Sequence, residues 1–344
     1  MANDEVNREI RLAARPKGFP KDSDFELAET AIPEPADGEV LVRNVYMSVD
    51  PYMRGRMNDT RSYVPSFQIG KPLQGGAVGQ VVESKTDALA PGDWVNSMLG
   101  WREYYVADGG SLMKIDPDQA PVSKALGVLG LTGFTAYVGL LDLGQPKEGE
   151  TVFVSAASGA VGSIVGQIAK LKGCRVIGSA GSDEKVAAAK DFGFDDGCNY
   201  RDEAPGDALD RLCPDGIDVY FENVGGDHLE AALPRMRLFG RVVLCGPISE
   251  YNDTEMRPGP SLGPALANRL TIRGFIISDH FDRLPDFLRD MSRWLEEGKI
   301  KDEETIVDGI ENAPTAFMGL LNGQNRGKML VKVGPDVPVE TLGT

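Results

Sequence analysis

Apolar and polar positions follow two different rhythms along this chain. Through the first ~120 residues, short runs alternate every second position, as in GEVLVRNVYMSVD and AVGQVVESK, and Pro/Gly turns such as APGDWV separate them. This alternation predicts strands, and no long helical period interrupts it. From about Val128 the rhythm changes. TVFVSAA reads as a strand, AVGSIVGQIAKLKG as a helix, CRVIGSA as a strand and SDEKVAAAKDFG as a helix. DGCNY, RDEAPGDALDRLC, GIDVYFENV, GDHLEAALPRM and GRVVLCG continue the strand–helix exchange. Such spacing predicts an α/β fold, a doubly wound parallel (Rossmann) sheet, beside the β-rich domain. LTIRGFIIS reads as a further sheet strand, and FLRDMSRWLEEGKI as a helix with Phe287, Met291 and Trp294 on one stripe. The tail GKMLVKVG is strand-like and returns to the first domain.

With 344 residues, the chain exceeds the ~250–300 that one core usually organises. The expected boundaries are a β-rich domain over 1–125 and 306–344 and a dinucleotide domain over 126–305. A net charge of −16 argues against nucleic acid or an anionic membrane as partner. It also requires that any anionic cofactor be met by local positive groups. No apolar run reaches the ~20 residues of a membrane span, and MANDEVNREIRLAARP is too charged for a signal peptide. Cys174, Cys198, Cys213 and Cys245 are widely spaced without a CxxC pair. Thiols in a reducing compartment, the cytoplasm, are the expectation.

One turn suggests a ligand. From Ala157 the chain reads A-x-G-x-x-G, with Gly159 and Gly162, after a strand and at the start of a helix. Gly159 would let the backbone approach a pyrophosphate, Gly162 would let the helix pack closely, and the helix N-terminus would attract the phosphates. Around Ser179, where an NAD enzyme places an acid for the ribose hydroxyls, the residues are small and neutral. That leaves room for a 2′-phosphate, with Lys185 as its partner, so NADP(H) is the expected cofactor. Asp183 and Glu184 are the rival ribose ligands, but after Ser182 they also suit the first turn of a helix.

A β-rich domain ahead of a dinucleotide domain is the layout of medium-chain dehydrogenases, many of which carry zinc. The first 173 residues hold neither Cys nor His, and His228 and His280 lie outside the expected pocket. LQGGAVG, with Gly75 and Gly76, stands where zinc relatives have Gly-His-Glu, so no zinc site is expected.

The phrases VRNVYMSVDPYMRGRM, YVPSFQIGKPLQGGAVGQVVES, FENVGG, CGPISEYN and NGQNRGKMLVKVG resemble the zinc-independent medium-chain reductases of the leukotriene 12-hydroxydehydrogenase, prostaglandin reductase and alkenal double-bond reductase branch. The resemblance implies a GroES-like fold for the β-rich domain. It also implies that Gly159, Ala160, Val161 and Gly162 hold the pyrophosphate and that Lys185 and Tyr200 bind the 2′-phosphate. Asn223 would sit at a strand end in the crevice. The loop from Cys245 through Gly246 and Ser249 to Tyr251 would lie beside the nicotinamide. Phe275, Ile276 and Ile277 would line the carboxamide side, and Asn325 would close the site. Pro247 departs from the family's usual alanine. From the residues alone, Cys245 reads as a strand residue rather than a nucleophile, Tyr200 also suits sheet packing, and Asn223 suits a turn cap.

The implied reaction is reduction of a C=C bond conjugated to a carbonyl in an enone or enal. Hydride goes to the β-carbon, a phenol or a cofactor hydroxyl donates to the developing enolate, and the α-carbon takes a proton from the phenol or from water. Tyr251 is the first choice for that phenol and Tyr52 the second. Tyr63 is assigned to the pocket rim; Arg54 and Arg56 are read as salt-bridging within the first domain, with steering of a polar substrate or the phosphates as the alternative. A homodimer is inferred from the family. Quinone reduction is the alternative enzymatic reading, and a non-catalytic NADPH-binding protein is the alternative of another class.

Overall fold

A computed structural model describes residues 6–335. The outermost parts of the expected β-rich segments, 1–5 and 336–344, lie outside the described residues. The chain forms two units: one of residues up to Leu126 with Thr305–Asn325 and the segment from Met329, and one of Gly127–Glu304 with Arg326–Lys328.

In the first unit, strands β1 (Val6–Leu12) and β2 (Phe25–Ala31) pair antiparallel. β3 (Glu39–Ser48) is followed by a one-turn helix, α1 (Tyr52–Arg56), then β4 (Ala77–Ser84), β5 (Trp94–Ser97), β6 (Tyr104–Asp108) and β7 (Met113–Ile115). β3 is the hub and pairs antiparallel with β4 and β6. Strict alternation gives way here, because nearly all of β3 is buried. One face packs Met47 against Met53, Met57 and Trp101, while Val40, Val42 and Val45 fill clusters elsewhere. α1 escaped the periodicity because five residues carry no period. Pro51 starts it with φ already at −58°.

The second unit opens with α2 (Leu131–Val138) and then alternates. β8 (Thr151–Val154), α3 (Gly162–Leu171), β9 (Arg175–Ala180), α4 (Asp183–Asp191), β10 (Asp196–Asn199) and α5 (Pro205–Leu212) form its first half. β11 (Ile217–Glu222), α6 (Gly226–Ala232), β12 (Met236–Leu244), α7 (Gly263–Ala267), β13 (Thr271–Gly274) and α8 (Leu284–Glu296) form the second. The strands make a parallel sheet in the order β10-β9-β8-β11-β12-β13. Strand order reverses between β8 and β11, where a doubly wound sheet leaves a ligand crevice. The strand read in LTIRGFIIS stops at Gly274, because Phe275 and Ile277 turn onto the core cluster. β14 (Glu304–Asp308), α9 (Ala313–Leu321) and β15 (Lys328–Lys332) complete the chain, and β15 pairs with β3 as the tail reading expected. No described helix is long and apolar enough to cross a membrane.

Phe287, Met291 and Trp294 are the buried residues of α8, and Phe287 packs 5.1 Å from the ring of Phe134. Phe287→Ala is expected to lower unfolding free energy by about 3–5 kcal/mol in a urea titration, as for other buried rings. Arg289→Ala, on the solvent face of the same helix, is expected to match wild type.

Candidate nucleotide site

The site begins where β8 ends. The turn 155–161 passes through Ala156, whose φ is +52°, and delivers the chain to α3. A β-carbon on Gly162 would stand 2.3 Å from the Ala156 carbonyl oxygen, so the helix can start against the turn only with glycine there. Gly159 is tight at 3.2 Å from the same oxygen. Ala157 replaces the usual first glycine without harm because it faces Gly178. A β-carbon on Gly178 would lie 2.6 Å from that of Ala157, so the bulk has moved from one position to its neighbour. The Ala157 N–H donates to the Ser179 carbonyl at 2.9 Å and ties the turn to β9. Gly327 joins from the tail by donating to the Ser158 carbonyl at 2.9 Å.

At the β9 end, the structure relocates the position that matters. Ser179 is fully buried inside the strand, so no side chain there reaches a ribose; the tip is Gly181. A β-carbon at 181 would meet the Tyr200 hydroxyl at 2.8 Å and Arg201 Nε at 3.5 Å. The phenol thus occupies the space an acid would need. Ser182 caps α4 by accepting from the Lys185 N–H at 3.3 Å, with Asp183 and Glu184 in the first turn. Lys185 is half-buried, and its pKa is lowered by burial and by the charges of Arg201 and Arg326. Arg201 and Arg326 thus lie close enough to act on Lys185, and Arg326 also pairs with Glu303 at 3.2 Å. The expected set named Lys185 and Tyr200 but not Arg201 or Arg326. Arg201 directly follows Tyr200 in CNYR, and Arg326 lies in the tail motif NGQNRGK, so adjacency to motifs already singled out was the available signal.

Both histidines stand against aromatic rings of the second unit. His228 is 4% exposed and stands edge-on to Tyr200, ring centroids 5.0 Å apart. His280 stands 6.2 Å from Phe275. Neither joins a metal cluster. Among the described residues no group of three or more His, Cys, Asp or Glu is disposed to hold a metal ion.

The crevice floor is built at the switch point. Asn223 follows β11; its backbone N–H donates to Ser155 Oγ and its side-chain amide to the Ser155 carbonyl, both at 2.8 Å. The N–H groups of Cys245 and Gly246 donate to the Glu222 carbonyl at 2.9 and 3.3 Å. Ser249 Oγ donates to the Val224 carbonyl at 2.6 Å. A β-carbon on Gly246 would lie 2.7 Å from the Tyr251 hydroxyl, so glycine lets that ring fold back over its loop. Burial and the Glu222 charge push the Cys245 thiol up to about 12. It is protonated at neutral pH and is no nucleophile. Phe275 and Ile277 pack on the core cluster, and Ile276 is half-buried between them.

Tyr52, Tyr63 and Asn325 belong to the first unit. The Tyr52 hydroxyl is buried without a well-formed hydrogen bond. Burial, then Asp50, hold its phenol well above the ordinary range, with Arg56 opposing. Tyr63 is 62% exposed and Asn325 is buried. Arg54 donates to the Pro16 and Gly18 carbonyls and to Asn58. Arg56 donates to the Pro65 carbonyl and Gln74 and lies 4.1 Å over the Phe67 ring. These bonds fix the loops around α1, and the Asp24 charge also acts on Arg54.

Residues 8–115 match the family described as the N-terminal domain of oxidoreductase, and residues 160–294 the family described as zinc-binding dehydrogenase. The NADPH-dependent curcumin reductase of Escherichia coli is 47% identical, over 96% of this chain and 98% of its own. The NADP(+)-dependent 2-alkenal reductase of Nicotiana tabacum is 44% identical, over 97% of this chain and 99% of its own. The crystal structure of CurA from Vibrio vulnificus in complex with NADPH is 47% identical, with a TM-score of 0.92 over 95% of this chain and 99% of that one.

Burial pushes the His228 pKa down from 6.5 to about 4. The folded state therefore resists a proton that the unfolded state accepts. Its contribution to stability is complete above pH 6.5 and is lost as pH falls toward 4, by about 3 kcal/mol in all. His228→Phe is expected to flatten this part of the stability–pH curve in urea titrations at stepped pH.

Proposed function

The chain belongs to the medium-chain dehydrogenase/reductase family, in the zinc-independent branch of alkenal, curcumin and prostaglandin reductases, and from that premise we propose that it is an NADPH-dependent enone and enal reductase. The observation that carries the cofactor is the β9 tip, where Gly181 leaves its space to the Tyr200 phenol rather than to an acid and Arg201 and Arg326 act on Lys185. A phosphate-sized anion fits that set, whereas an aspartate at 181 would displace the phenol and repel it. In this reading Gly159, Ala160, Val161 and Gly162 hold the pyrophosphate, with the α3 N-terminus favouring its charge. Asn223 and the Cys245–Tyr251 loop, with Gly246 and Ser249, flank the nicotinamide. Phe275, Ile276 and Ile277 line its carboxamide side and Asn325 closes the site. The unit of 127–304 is the cofactor domain and the β-rich unit carries the substrate.

When bound, the reduced nicotinamide supplies a hydride for the β-carbon of the conjugated alkene. The protein's part is to meet charge on the carbonyl oxygen and to return a proton to the α-carbon. A phenol near its ordinary pKa of ~10 or above stays protonated at neutral pH and donates to the oxygen. Tyr251, folded back on Gly246, is the first candidate. Tyr52 is the second, with a buried hydroxyl that lacks a well-formed protein partner. Quinone oxidoreductases of known structure, such as that of Coxiella burnetii at 22% identity and a TM-score of 0.74, share the fold alone, so enone reduction is preferred.

The protein is assigned to the cytoplasm and to a homodimer. Support for the dimer is that β13 lies at the sheet edge, near exposed Leu238, Phe239, Leu262 and Leu266.

Replacing Gly181 by Asp is expected to raise KM for NADPH about 100-fold and to leave KM for NADH unchanged or lower; Lys185→Ala should raise the NADPH value about tenfold. Initial rates with trans-2-hexenal check both. An unchanged NADPH KM in each variant would refute the cradle assignment. Tyr251→Phe is expected to lower kcat about 100-fold and Tyr52→Phe about tenfold. Wild-type kcat in both would exclude either phenol.

A further inference from the structure

Glu222 lies at the carboxyl end of β11, on the switch-point side, and is 2% exposed. Its Oε1 accepts from the backbone N–H groups of Val224 at 2.6 Å and Gly225 at 2.8 Å, from the Tyr220 hydroxyl at 2.9 Å and from Ser155 Oγ at 3.2 Å. Ser155 Oγ in turn accepts from the Asn223 N–H. The carbonyl of the same glutamate receives Cys245 and Gly246. Three turns, those after β8, β11 and β12, are thus tied to one residue. Buried carboxylates are costly unless hydrogen-bonded, and this one has four donors, three of them within the turns themselves.

We infer that Glu222 is a positioning residue for the nicotinamide half of the cofactor: it holds these turns in the shape that receives the ligand. The inference rests on the reading that this crevice takes NADPH. The Val224–Gly226 turn needs such an anchor because Gly225 and Gly226 both have positive φ, +77° and +47°, and glycines there leave the free loop many alternatives. The two N–H bonds to Oε1 select one of them. Ser155 carries the constraint across the switch point to the glycine turn, and the carbonyl bonds carry it to the Cys245–Tyr251 loop. Glutamine has nearly the same shape and can accept the same bonds, but without charge assistance, which roughly doubles their strength. It also introduces an amide NH2 beside the turn donors. The adenosine end, at Lys185 and Tyr200, receives none of these bonds.

The test compares NADPH with adenosine 2′-monophosphate, which reaches only the adenosine end, by fluorescence titration and calorimetry on the full chain. Glu222→Gln is expected to fold, to raise the Kd for NADPH about tenfold or more, and to leave that of adenosine 2′-monophosphate within twofold. Its kcat at saturating NADPH should fall less than threefold. Tyr220→Phe, which removes the one donor outside the turns, should bind NADPH as wild type does. A wild-type Kd for NADPH in Glu222→Gln overturns the inference, as does equal weakening of both ligands, the mark of a merely structural residue. Should Glu222→Gln fail to fold, Ser155→Ala decides by cutting the link between turns. A rise of threefold or more for NADPH alone supports the inference, and no rise overturns it. If the wild-type chain binds no NADPH, the parent reading fails, and the inference falls with it.

Discussion

A single close approach governs the second unit: the start of α3 lies on the backbone of its own entry turn, with 2.3 Å between the Ala156 carbonyl oxygen and the place a Gly162 β-carbon would occupy. Because that space is empty, the helix can start directly against the turn that follows β8. The remaining turns assemble around this point. Gly178 yields space to Ala157, Gly246 to the Tyr251 ring and Gly181 to the Tyr200 phenol. The space of each missing β-carbon is taken by a side chain, from another segment at Gly178 and Gly181 and from the same loop at Gly246.

Charge is organised against the overall balance. The chain carries −16, yet Lys185, Arg201 and Arg326 act on one another strongly enough, with burial, to lower the lysine's pKa. Arg326 is balanced in part by Glu303 at 3.2 Å, and at the β9 tip Gly181 leaves its space to the neutral Tyr200 phenol. In the crevice the sign reverses. Glu222 is buried, its carboxyl pushed up by desolvation against the pull of the Gly225 and Val224 N–H groups, and its neighbour Cys245 is kept a thiol. An enzyme handling electrophilic alkenes benefits from a thiol that does not ionise.

The first unit follows a different logic. Its β-rich pattern was legible, but its central strand is buried on both faces, so alternation alone understated the core. α1, which presents Tyr52, arises from Pro51 and from the arginines that stitch the loops beside it, not from any periodicity.

Periodicity and glycine placement determined the strand–helix alternation, the parallel sheet, the α8 stripe and the nucleotide turn, since these depend on neighbours within a few residues. The motif phrases and the neutral β9 region were likewise readable in one dimension. Only the tertiary structure decided that Gly181 rather than Ser179 is the tip, and that Arg201 and Arg326 join Lys185. It alone brought His228 against Tyr200 and tied three turns to Glu222. Most of those relations join residues from sixteen to more than a hundred positions apart, such as Lys185 with Arg201 and Arg326 or Glu222 with Ser155. They exist only after the sheet has ordered its strands, because side-chain proximity across a parallel sheet is set by strand order and not by distance along the chain.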